Sequence, residues 1–80
     1  METELRSYKV ERTTYSDIVE RHTIGEVHMI TFFFKNGHRL TENIFECDDD
    51  DEAVSRAARS LYEKGKISKE VLDIIKGYLG

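Results

Sequence analysis

The sequence predicts an α+β fold: an antiparallel sheet of three to four strands, followed by an antiparallel helix pair packed on one face. Three observations carry this. An Asn36-Gly37 pair separates two runs rich in aromatic and β-branched residues, V-H-M-I-T-F-F-F-K and H-R-L-T-E-N-I-F-E-C. After an acidic run, Asp48 to Glu52, apolar residues recur at helical rather than alternating spacing. A short connection around Gly65 then links two such helical stretches, which favours antiparallel neighbours.

The N-terminal region, residues 1–25, reads as strand. Leu5 to Thr13 alternates weakly, with Tyr8 and Val10 on one side and Ser7, Lys9 and Glu11 on the other. Tyr15 to Thr23 is read as a second strand, and Gly25 as a turn or bulge before the hairpin.

Residues 26–47 form the central hairpin. Asn-Gly suits a two-residue type I′ turn, because both positions need positive φ. That loop places Lys35 opposite His38, Phe33 opposite Leu40, Met29 opposite Ile44 and Val27 opposite Glu46. One face then carries Val27, Met29, Phe33, Leu40 and Ile44. The other carries Ile30, Phe32, Phe34 and Phe45, with His28, Thr41, Asn43 and Cys47. Both faces are apolar. A small domain buries only about 60% of its unfolded surface, so one face is expected either to await a partner or to be covered by N-terminal residues folding over it. A Gly37→Val change is expected to unfold or slip the turn.

The first helix spans residues 49–64. Its acidic first turn complements the helix dipole and caps free N–H groups. Its apolar stripe is Ala53, Val54, Ala57, Ala58, Leu61 and Tyr62. Glu52 with Arg56 and Arg59 with Glu63 form i, i+4 pairs. Gly65 terminates the helix in a left-handed conformation. The second helix spans residues 68–79, with Ser68 as its cap, Ile67 as a staple before it, and a stripe of Val71, Leu72, Ile75, Tyr78 and Leu79.

Composition narrows the function classes. The 80 residues read as a single domain, 39% hydrophobic and 35% charged, which is a globular rather than a disordered balance. The net charge of −4 argues against a general nucleic-acid binder, which needs a basic stripe. No apolar run approaches the roughly 18 residues of a membrane span, and the N-terminus does not read as a signal peptide. One cysteine forms no internal disulfide, so a cytoplasmic setting is expected, the host-cell cytoplasm for a viral protein.

No catalytic pattern emerges, and no enzyme activity is expected. Ser16 with Asp17 and His22, or Cys47 with His28, lie in no recognised nucleophile context. No cofactor is expected, because no Gly-rich phosphate loop is present. No metal is expected either: Glu26, His28 and Cys47 are acceptable zinc ligands but lack a fourth, and the acidic run lacks the spacing of a calcium loop.

What remains is surface recognition. Asp48, Asp49, Asp50, Asp51 and Glu52 are candidates for docking on a basic partner. Phe32, Phe34 and Phe45 are candidates for an exposed aromatic contact. Stacking of nucleic-acid bases on the phenylalanines is disfavoured, since only Lys35 and Arg39 supply charge near the turn. In size, acidity, lack of catalytic motifs and sheet-plus-helices plan, the chain resembles the small acidic proteins with which phages block host defence, such as anti-CRISPR proteins. That resemblance implies inhibition by occupying a protein partner. A homodimeric structural or adaptor domain of bacterial type is the alternative, through a sheet edge or face. A nucleic-acid-binding regulator is the third reading.

Overall fold

A computed structural model of the chain describes residues 1–16 and 23–79. Strands β1 (Leu5–Ser16), β2 (Thr23–Phe34) and β3 (Arg39–Phe45) form an antiparallel sheet in the order β1-β2-β3. Helices α1 (Asp50–Glu63) and α2 (Lys69–Tyr78) follow. This is the expected α+β class with three strands. The separate strand expected over Tyr15 to Thr23 falls mostly outside the described residues. Tyr15 and Ser16 end β1, Thr23 begins β2, and residues 17–22 lie outside the described residues. A register irregularity falls where Tyr15 pairs with Gly25 and Ser16 with Thr23, at the bulge expected near Gly25.

The β2–β3 turn corrects the expected register. The amide of Phe34 donates to the carbonyl of His38, and the amide of Gly37 donates to the carbonyl of Phe34. Among the described non-glycine residues only Glu46 has positive φ, so Asn36 does not. Gly37, at φ +92, does. The loop is thus three residues, Lys35 to Gly37, with glycine in the left-handed bulge position rather than a two-residue type I′ turn. Asn36 earns its place by side-chain bonding: its Oδ1 accepts from the His38 amide at 2.9 Å.

One residue of slip turns every β3 side chain over. Phe32 pairs with Leu40, Ile30 with Glu42 and His28 with Ile44. Leu40 and Ile44 therefore join Phe32 and Phe34 on the helix-covered face. Phe45 moves to the opposite face, level with Val27.

The helices cover one side of the sheet. α1 packs on β2 and β3, and α2 packs on α1. The core between them holds Leu5, Ile30, Phe32, Phe34, Ile44, Ala53, Val54, Ala57, Ala58, Leu61, Ile67, Val71, Leu72 and Ile75. The alanines let α1 lie close to the sheet, so the phenylalanines of β2 fill the space between layers. Tyr62 and Tyr78, expected on the buried stripes, sit at their margins and are exposed.

The helix ends follow the sequence. Asp49 caps α1, its side chain accepting from the Asp51 amide. Ser68 caps α2, its hydroxyl accepting from the Val71 amide at 3.2 Å. Gly65, at φ +74, ends the α1 turn in the left-handed region. The N-terminus staples this connection. Glu2 donates its amide to the Lys66 carbonyl and accepts from the Ser68 amide, forming a parallel bridge to Ile67. Ile67 is fully buried beneath it.

Candidate functional site: an acidic corner between the sheet and the first helix

The chain turns from β3 into α1 through Glu46, Cys47, Asp48 and Asp49. Glu46 adopts φ 56, a left-handed conformation costly for a residue with a Cβ. Such outliers persist where the surroundings enforce them. Here Cys47 is buried, and its Sγ donates to the Asp49 carbonyl at 3.2 Å. Arg56 on α1 reaches back to the Phe45 carbonyl at 3.3 Å. Both contacts hold the corner shut on its inner side.

The five acidic residues divide by role. Asp49 is the helix cap. Asp50 turns toward the sheet while staying half-exposed: its Oδ1 accepts from Arg12 Nε at 2.8 Å and lies 3.3 Å from His28 Nε2. The bond to Asp50 raises the Arg12 guanidinium above its ordinary pKa. Asp50 is thus committed to joining β1 to the first turn of α1. Asp48, Asp51 and Glu52 remain exposed, as do the Asp49 and Glu46 side chains. These carboxylates and the half-exposed ring of Phe45 border one corner of the molecule. The positive end of the α1 dipole offsets part of their charge, and exposed charges attract a basic surface chiefly at low ionic strength.

The expected aromatic contact divides in the same way. Phe45 is 48% exposed, whereas Phe32 and Phe34 are 0% and 1% exposed. The even-numbered residues of β2 face the helices, and the slipped register puts Phe45 on the other face, level with Val27. Phe32 and Phe34 are core residues, out of a partner's reach unless the sheet and helices separate.

The trio Glu26, His28 and Cys47 is not gathered. Among the described residues no group of three His, Cys, Asp or Glu side chains is placed to hold a metal ion. His28 is instead fully buried. Among the described residues neither ring nitrogen has an aligned hydrogen-bond partner, although Asp50 Oδ1 is close to Nε2. No helix among the described residues is long and apolar enough to cross a membrane.

Sequence reasoning missed a basic cluster on the sheet face away from the helices. The Arg6 guanidinium lies 5.9 Å and the Lys9 ammonium 6.0 Å from the Phe33 ring centroid. Arg39 stands opposite Phe33 in the β2–β3 register. The strand character of β1 was legible, but without its pairing to β2 nothing placed Arg6 and Lys9 beside Phe33.

Compared with known proteins, the chain matches no family model, no curated protein and no solved structure.

Proposed function

We propose that this chain is a small non-catalytic binding protein that acts by occupying a basic surface on a protein partner. It works as an inhibitor of the phage type and operates in the cytoplasm. The observation that carries the reading is the acidic corner. Asp48, Asp51 and Glu52 are exposed around the turn into α1 while Asp49 caps that helix and Asp50 bonds Arg12 of β1. A charged surface held in fixed geometry steers association and spends little entropy on binding. A single buried free thiol suits a reducing compartment.

The test spares the structural pair. In the triple variant Asp48→Lys, Asp51→Lys, Glu52→Lys, the cap at Asp49 and the anchor at Asp50 remain. A partner retained from host lysate and identified by mass spectrometry is purified, and its affinity is measured across salt. The reading expects steep salt dependence for the wild type and a loss of at least about tenfold in the variant. Equal affinity and equal salt slope for the two proteins reject it.

A further inference from the structure

The face of the sheet away from the helices has its own pattern, independent of the acidic corner. Four rows cross it, each read from β1 through β2 to β3: Ser7, Phe33, Arg39; then Lys9, Thr31, Thr41; then Glu11, Met29, Asn43; then Thr13, Val27, Phe45. The β2 residues form a central spine. Val27, Met29 and Phe33 are only partly shielded, and Thr31 is covered by its neighbours. None of the helices packs here. The flanking charges are ordered along the strands. Arg6, Lys9 and Arg39 gather at the turn end around Phe33, Glu11 lies one row beyond Lys9, and Glu46 follows the last row.

We infer that this face is the interface of a homodimer, in which two copies stack sheet on sheet with their strands antiparallel. The two-fold axis would run across the strands between the Thr31 and Met29 rows. It brings Lys9 of one copy over Glu11 of the other, and the same pair again by symmetry. Phe33 then meets Val27, Thr31 meets Met29, and Arg39 reaches the end of β3 beside Glu46. In the single chain Lys9 and Glu11 pair with each other at 2.7 Å, with side chains 54% and 46% exposed. An exposed pair of this kind contributes little, so exchanging it between copies costs little and gains burial. The alternative stacking, with an axis along the strands, sets Lys9 over the Thr41 row and leaves Glu11 opposite Asn43. Charge therefore selects the antiparallel arrangement. Sheets stacked face to face, about 10 Å apart and aligned within about 30°, are an ordinary packing.

A second copy fits better than a single-stranded nucleic acid. Stacking sites for successive bases need neighbouring aromatic rings, but the Phe33 and Phe45 rows are six residues apart along β2, roughly 20 Å. Glu11 between them repels a phosphate backbone. The size of the face sets the strength. Three strands about 4.8 Å apart and some eight residues long present roughly 15 by 27 Å in projection. That is about 400 Å² in projection, roughly half the 800 Å² per partner of a standard interface, so a weak dimer, with a Kd of tens of micromolar or more, is expected.

Charge exchange tests the arrangement. Sedimentation velocity is run from about 1 to 300 µM, a range that spans weak interfaces. The wild type is expected to shift from monomer to dimer. Lys9→Glu and Glu11→Lys, each alone, are expected to weaken the dimer at least about tenfold. Mixing the two variants restores a heterodimer, because one then presents only carboxylates and the other only ammonium groups at those positions. Circular dichroism of each variant confirms that the fold is kept. A wild type that stays monomeric throughout overturns the inference. So does a dimer that both single variants leave intact, which would place the contact on a sheet edge. So does a single-stranded oligonucleotide that binds the wild type and is lost in Lys9→Glu while self-association is absent.

Discussion

Nε2 of His28, buried on β2, lies 3.3 Å from Oδ1 of Asp50 at the start of α1, yet the two are not aligned as a hydrogen bond. Asp50 already accepts from Arg12. The imidazole is left inside the protein with both nitrogens unsatisfied among the described residues, a penalty of about 1–3 kcal/mol for a buried polar group.

Replacing His28 by Leu keeps most of the volume and removes the unsatisfied atoms. The variant is expected to gain about 1 kcal/mol in urea unfolding. A clear loss of stability would mean that the ring makes a polar contact essential to the fold.

Strand alternation puts two adjacent phenylalanines on opposite faces of β2. Phe32 is fully buried, while Phe33 faces the open side beneath Arg6 and Lys9. Phe32→Ala is expected to cost about 3–5 kcal/mol. That is much of the stability of a domain this small, typically about 5–15 kcal/mol in all. Phe33→Ala is expected to cost far less. Equal or reversed losses in chemical denaturation would contradict the assignment of faces.

Gly37 is the glycine that the turn requires. A Cβ added there meets no atom within 4 Å, so space is not the issue. At φ +92 the backbone itself penalises an L side chain. Gly37→Ala is expected to lose about 1 kcal/mol and Gly37→Val more, since a β-branched side chain resists positive φ further. A Gly37→Val protein as stable as the wild type would refute the bulge.

The N-terminus is coupled to this turn by charge. Nδ1 of His38 donates to Oε1 of Glu2 at 2.8 Å, and Nδ2 of Asn36 donates to Oε2 at 2.8 Å. The His38 bond, opposed by partial desolvation and assisted by Asn36, lowers the Glu2 carboxyl below its ordinary value of 4.5. A carboxylate lowered in the folded state stabilises fully above its ordinary value and loses that contribution as pH falls through the lowered one. Carbon-13 titration of Glu2 is expected to show the depressed midpoint, and His38→Ala to move it upward. An unmoved midpoint would assign the shift elsewhere.

The candidate site was partly legible. The acidic run stood out as a helix start because Asp49 and Ser68 precede regular apolar stripes, and both cap as their chemistry requires. The turn of Asp50 toward the sheet was not legible. It depends on Arg12, thirty-eight residues away, arriving beside α1 through the pairing of β1 with β2. Phe45 is half-exposed, but on the face opposite the one expected. Phe32 and Phe34 are buried rather than exposed, because a hairpin apolar on both sides gives no local sign of which side the helices will take.

The sequence alone determined that the strands precede the helices, the helix boundaries to within a residue, and the need for glycine at positions 37 and 65. Those are local properties, set by capping atoms, side-chain spacing and steric access to positive φ. The register of β3, the sorting of the four phenylalanines into core and open face, and the meeting of Arg6 and Lys9 with Phe33 were settled only in three dimensions. A turn of two residues and a turn of three are close in local energy, but they present opposite sides of β3 to the core. The choice between them belongs to the packing of Leu40 and Ile44 within that core.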